Sequence, residues 1–226
     1  MDLRDLATRR WGAAALRALD NANQRHPWSH NDAFHPWILN ELPRGRGLAV
    51  DVGCGQGELA AVLAEHFDRV HGVDIDPQMR AIASRRCAGM PNVTVDDTAL
   101  GQLAKGADLV TMVAVLHHLD LTEALQQVAA MIAPGGRFLC VGLARPVSGV
   151  DQLWDLASTL TNPVIGYVRH PWTATRPTPH APFPTAEPQL SLGQITEEVR
   201  KFMPGATVQR RLAFRYTIEW LKPELD

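Results

Sequence analysis

Leu48 to Gly57 reads LAVDVGCGQG, and Val70 to Asp76 reads VHGVDID. The apolar run Leu48-Ala49-Val50, then Asp51, then glycines at 53, 55 and 57 predict a buried parallel strand turning sharply into a helix. The helix reads from Glu58 to Phe67, with Leu59, Leu63 and Phe67 at four-residue steps forming the stripe that packs on a sheet. A second strand starts at Val70 and ends on Asp74, seventeen residues after Gly57. An acid at the carboxyl end of the second strand is placed to accept hydrogen bonds from the two hydroxyls of a ribose. A nucleoside ligand is therefore expected.

Charge narrows the choice of nucleoside. A dinucleotide site wants GxGxxG, with nothing acidic facing the pyrophosphate at the helix N-terminus. In this chain the last glycine position is Glu58, and Asp51 precedes the turn. Two carboxylates there repel a pyrophosphate but suit the ammonium of a methionine moiety and tolerate a sulfonium. The loop favours S-adenosylmethionine over a nicotinamide dinucleotide.

On LAVDVGCGQG, VHGVDIDPQM, the Asp96-Asp97 pair after NVTV, DLVTMVAVLHHL and MIAPGGRFLCVGL, the chain resembles a class I S-adenosylmethionine-dependent methyltransferase of the small-molecule, natural-product type. These segments cover Leu48 to Leu143 in the family's order and spacing. The resemblance implies an α/β, Rossmann-like doubly wound sheet of seven mostly parallel strands, ending in an antiparallel hairpin. It also implies S-adenosylmethionine as cofactor and S-adenosylhomocysteine as product. The cofactor-binding set it suggests is Asp51, Gly53, Cys54, Gly55, Gly57, Asp74, Ile75, Asp96, Asp97, Thr98 and Val113. Asp51 and the glycine loop would take the methionine end, and Asp74 the ribose. Of the two acids after the third strand, Asp97 fits better as the adenine partner, because the family's acid usually stands between small or polar residues.

The fourth strand, Asp108 to Leu116, is almost wholly apolar, as a strand buried on both faces should be. It ends in His117-His118. Nucleic-acid amino-methyltransferases carry an Asn/Asp-Pro-Pro-aromatic clamp at this point, whereas this chain has Ala114-Val115-Leu116, which argues against DNA or RNA adenine methylation. Similar natural-product enzymes have a His pair here, which makes His117, and after it His118, the candidate catalytic residues. A neutral imidazole is suited to accept a proton near pH 7. The acid that many relatives place past the fifth strand is replaced by Ala144-Arg145-Pro146, so a His–Asp dyad would have to use Asp120 or Asp32.

The rest of the chain frames this core. The organisation expected is a single domain: an N-terminal helical lid (1–44), the cofactor core (45–145), a cap insertion (146–190), then the last helix and the hairpin (191–226). Remaining elements are helices at Phe34 to Leu42, Pro77 to Cys87, Leu121 to Ile132 and Ser191 to Phe202. A third strand lies around Val93 and Val95, a fifth at Arg137 to Leu143, and hairpin strands at Thr207 to Leu212 and Phe214 to Leu221. Ala133 to Gly136 reads as a break before the fifth strand. In the resembling family the lid and the cap insertion close the acceptor pocket. That makes Trp28, His30, Asn31 and Phe34 on one side, and Tyr167, Arg169, His170 and Trp172 on the other, candidate substrate-binding residues. Packing of helices against the body accounts for the same aromatics equally well. The proline-rich stretch from Thr173 to Pro188 reads as extended, semi-rigid loop.

Composition excludes other classes. With 226 residues, 46% of them hydrophobic, the chain can build one sizeable core. A net charge of −2 provides no basic field to hold a phosphate backbone, so nucleic acid is not expected as a partner. No apolar run is long enough to span a bilayer, and the N-terminus lacks a signal-like apolar core, so a cytoplasmic location without membrane attachment is expected. Cys54, Cys87 and Cys140 read as buried thiols of a reducing compartment, with no disulfide frame or metal site. The acceptor expected is a small, flat aromatic or heteroaromatic molecule, indole-type or phenolic, methylated on carbon, nitrogen or oxygen. A nicotinamide-dependent oxidoreductase and a non-catalytic S-adenosylmethionine-binding partner protein are the alternatives. Oligomeric state is not legible in the sequence.

Overall fold

The computed structural model describes residues 32–147, 188–211 and 215–224. A 3-10 turn, Asp32–Phe34, leads into α1 (His35–Asn40). Then follow β1 (Leu48–Val52), α2 (Glu58–Leu63), β2 (Arg69–Val73), α3 (Pro77–Arg86), β3 (Val93–Asp96) and β4 (Ala107–Val113). Next come a 3-10 turn at Leu116–His118, α4 (Leu121–Met131), β5 (Ile132–Gly142), α5 (Leu192–Phe202), β6 (Thr207–Arg211) and β7 (Arg215–Leu221).

These strands make one seven-stranded sheet in the order β3-β2-β1-β4-β5-β7-β6. The first five run parallel, and β7 inserts antiparallel between β5 and β6, with Cys140 opposite Ile218. Alternate residues of each central strand feed two cores, as the two-residue repeat of a pleated strand requires. Val50, Val110 and Phe138 pack with Leu125 and Val128 of α4 and with Ile195 and Val199 of α5. Ala49, Leu109 and Leu139 pack on the other side with Ile38 of α1 and with Leu59 and Leu63 of α2. Both faces are covered, which is why these strands read as continuous apolar runs. The order reverses between β1 and β4, and the crevice outside their carboxyl ends is where such sheets take ligands.

Local signals hold where they are strongest. Ser191 caps α5 reciprocally with Gln194, a capping box. Pro36 sits in the first turn of α1. Leu59, Leu63 and Phe67 are all buried, although regular helix stops at Leu63 and a hydrogen-bonded turn carries the chain on to Phe67. Cys54, Cys87 and Cys140 are free and buried. Among the described residues no helix is long and apolar enough to cross a membrane.

Three expectations need correction. β4 stops at Val113, not Leu116, because Ala114 takes a left-handed φ of 59° and turns the chain into the 3-10 segment that carries the His pair. Ala133 to Gly136 is not a break, since β5 runs through it from Ile132. Gly135 N donates to Lys222 O and Lys222 N to Gly136 O, so backbone pairing at the sheet's end outweighs the turn chemistry of Pro134-Gly135-Gly136. β2 ends at Val73, leaving Asp74 as the first residue of the loop. Positions 212–214 between the hairpin strands lie outside the described residues.

Candidate functional site

The glycine turn is shaped by what lies behind it. Gly53, Gly55 and Gly57 all have positive φ, between 53° and 76°, a region costly to residues with a Cβ. Gly53 N and Cys54 N both donate to Val73 O, at 2.7 and 3.0 Å, which folds the turn over the end of β2. A Cβ on Gly53 would come within 2.2 Å of Val115 Cγ2, so the turn is seated directly on the segment before the His pair. A Cβ on Gly55 would meet nothing within 4 Å, so this part of the loop faces open space.

Asp74 stitches this loop to the next. Its Oδ2 accepts from Gly55 N and its Oδ1 from Asp76 N, both at 2.8 Å. Asp76 in turn caps α3 through Gln78 N and Met79 N. Asp51 lies behind the loop in β1, only 3% exposed. Thr111 Oγ1 donates to its Oδ1 at 2.7 Å. Burial drives the Asp51 carboxyl up to about 7; the Thr111 hydrogen bond opposes this, and the charge of Asp74 adds to it. Burial, with the nearby Asp51 and Asp74, also pushes the Cys54 thiol far up, so it is an unreactive wall of the turn.

The two acids after β3 have separate partners. Asp96 Oδ2 is 2.9 Å from His71 Nε2, and its Oδ1 accepts from Thr98 N at 2.9 Å. Burial works against the Asp96 charge, but the bonds from Thr98 and His71 outweigh it and hold the carboxyl below its usual range. Asp97 is the more open of the two, 69% exposed, and pairs with Arg80 at 3.1 Å. Arg80 Nη1 also donates to Asp74 O and Ile75 O, at 2.8 and 3.0 Å. One guanidinium thus ties the loop after β2 to the loop after β3. Ile75, between these groups, is 90% exposed, an apolar side chain left open at the rim. Val113 ends β4 half-buried, next to the positive-φ turn.

His117 is half-buried and His118 exposed. Among the described residues His117 Nδ1 is buried without a hydrogen-bond partner. Burial lowers its imidazole to about 4, helped by the charges of His118 and Arg215. Arg215 opens β7, and because β7 is antiparallel this end lies at the carboxyl edge of the parallel strands. Burial lowers its guanidinium to about 10. Asp120 serves α4 as its N-cap, accepting from Glu123 N, which leaves it a capping role. The side chain of Asp32 and all of Trp28, His30, Asn31, Tyr167, Arg169, His170 and Trp172 lie outside the described residues; Phe34 ends the turn before α1 and is half-buried.

The described residues fit the cofactor the sequence implies. A buried acid that accepts one hydrogen bond stands behind an open glycine turn, and acids and an apolar side chain line the rim. Thr111, Arg80, His71 and Arg215 were not singled out from sequence, since their roles depend on partners 17 to 98 positions away.

Comparison with known proteins agrees with this geometry. Residues 50–138 match the family described as a methyltransferase domain. An uncharacterized methyltransferase of Mycobacterium tuberculosis is 32% identical over 200 residues, covering 87% of this chain and 98% of that protein. The fold is similar to that of the N-methyltransferase NodS from Bradyrhizobium japonicum, solved with S-adenosyl-L-homocysteine: TM-score 0.56, 18% identity, 92% of this chain and 98% of that one. It is also similar to magnesium protoporphyrin IX methyltransferase from Synechocystis, with bound S-adenosylhomocysteine: TM-score 0.56, 18% identity, 91% of this chain and 86% of that one. With the relative matched over nearly its full length and the strand order, glycine turn and buried acid in place, the chain belongs to the class I S-adenosylmethionine-dependent methyltransferases.

Proposed function

We propose that this enzyme methylates a small, uncharged aromatic or heteroaromatic acceptor, indole-type or phenolic, held at His117. The observation that carries this reading is the His117 ring: partly buried just past the carboxyl end of β4, neutral at physiological pH, and with a buried Nδ1 that has no hydrogen-bond partner among the described residues. The nicotinamide alternative is set aside with the family assignment. When bound, S-adenosylmethionine supplies a methyl group on a sulfonium that departs as a neutral thioether. Asp51 and the glycine turn receive the methionine end, Asp74 the ribose hydroxyls, Asp97 the adenine amine, and Ile75 an apolar contact for the base.

The protein's own contribution is chiefly placement. Holding two reactants in line is worth roughly 7–11 kcal/mol. A general base typically adds 10²–10⁴-fold, and an imidazole with a pKa of about 4 is a weak proton acceptor at pH 7. His117 therefore orients the acceptor's O–H or N–H more than it deprotonates it. A net charge of −2 favours a small molecule over nucleic acid as partner, and three buried free thiols suit a cytoplasmic location.

The test is a mass-spectrometric screen of purified protein with methyl-labelled S-adenosylmethionine against indoles, tryptophan-derived cyclic dipeptides, phenols and amines. Label in an aromatic acceptor supports the reading. Label only in aliphatic amines overturns the acceptor class. The Asp74→Ala variant should lose cofactor binding by at least about 100-fold, as it removes both the ribose acceptor and the clamp on Gly55 N; unchanged affinity would sink the ribose assignment.

A further inference from the structure

Thr111 occupies the middle of β4, flanked by Val110 and Met112 and fully buried. In the parallel ladder it stands opposite Asp51 of β1, so the two side chains leave the sheet on the same face. Its hydroxyl lies 2.7 Å from Asp51 Oδ1 and 3.4 Å from Val50 O, so the short bond goes to the carboxylate. Among the described residues no other group donates a hydrogen bond to Asp51. At a position where valine has the same shape, a buried hydroxyl carries a desolvation cost. What it gains over a methyl is its bond to Asp51.

We propose that Thr111 is a positioning residue for cofactor capture: its hydroxyl fixes the rotamer of the Asp51 carboxylate and favours its charged form, ready for a cationic amino group. This rests on the reading that Asp51 receives the methionine end of the cofactor. Burial and the charge of Asp74 both oppose the ionised form, and Thr111 is the group working the other way. The elements packed on this face also carry His35 on α1 and Glu41 just after it, Glu58 on α2, and Arg137 and Glu219 on β5 and β7. Glu41 and Glu219 are paired with Arg137, and Glu58 with Arg86; Asp74 is the charge that acts on Asp51. The Cys54 thiol stays neutral. Without the hydroxyl, Asp51 holds its proton to higher pH, and that proton must leave before a cation can pair.

The experiment is calorimetric titration of S-adenosylhomocysteine into the wild type, Thr111→Val, Thr111→Ser and Asp51→Asn between pH 6 and 9, with thermal unfolding at pH 6 to confirm that each variant folds. Loss of a hydrogen bond to a charged group predicts that Thr111→Val weakens binding about tenfold at pH 7. The gap should close to within about threefold at pH 9, and Thr111→Ser should follow the wild type. The ligand's own amine titrates identically in every arm. Wild-type affinity for Thr111→Val at pH 7, or the same loss at every pH, overturns the proposal, the latter because it marks a packing defect. If Asp51→Asn weakens binding while Thr111→Val does not, this proposal alone fails; if Asp51→Asn binds normally, the cofactor reading of Asp51 fails with it.

Discussion

The rings of His117 and His118 stand 4.0 Å apart, centroid to centroid, and tilted by 39°. Burial disfavours the charged form of His117, and the charges of His118 and Arg215 add to this, so the His117 ring is neutral over the physiological range.

That state predicts a particular pH profile. With His117 protonating only near pH 4, kcat should show no acid limb from this residue between pH 5 and 7. His117→Ala should lower kcat by roughly 10–100-fold, while S-adenosylhomocysteine affinity stays within about twofold. A kcat limb near pH 6.5 that vanishes in the variant would show instead that His117 titrates as a free imidazole in the working enzyme.

Asp51 should leave its own mark, on a different parameter. In the free enzyme its carboxyl is at about 7, so kcat/KM for the cofactor should fall as pH drops below 7, with kcat less affected once a bound cation holds Asp51 charged. The stability of the ligand-free protein carries the opposite sign. A folded-state pKa raised above the unfolded value of 3.8 gives stability that is present below 3.8 and lost as pH rises through 7. Asp51→Asn should therefore stabilise the ligand-free protein at pH 8 by about 2–4 kcal/mol, seen as a raised Tm, while losing cofactor affinity. A lowered Tm at pH 8 would mean that the ionised carboxylate is better satisfied than its single hydrogen bond indicates.

Gly53 tests how the cofactor turn and the His segment are joined. Alanine there must adopt a φ of 68° and place its Cβ 2.2 Å from Val115 Cγ2. Strain of this kind costs of the order of 1–3 kcal/mol before any rearrangement. Gly53→Ala should lower both thermal stability and cofactor affinity, and adding Val115→Ala should restore part of the affinity by removing the clash. Full loss in the double variant would assign the defect to the backbone conformation alone.

Glycines at the strand-to-helix turn, apolar stripes at helical steps and the Ser191–Gln194 cap are local signals, so the order of elements and the doubly wound sheet were legible from residues 48–143 and 191–221. The misread boundaries, at Val113 and at Ile132, lie where long-range strand pairing or a backbone turn outweighs local propensity. The candidate site was legible as a list of acids and glycines, because each stands at the carboxyl end of a strand that its own pattern reveals. What that list omitted was the set of partners: Thr111 for Asp51, His71 for Asp96, Arg80 for Asp97.

By itself, the sequence determined that this protein carries a glycine-rich turn at the carboxyl edge of a parallel sheet, since backbone conformation and burial pattern are written in neighbouring residues. Only the tertiary structure decided the charge states of its groups. Asp51 sits near neutrality and His117 far below it because burial and partners from distant strands set the cost of each charge, and those distances exist only once the sheet has assembled.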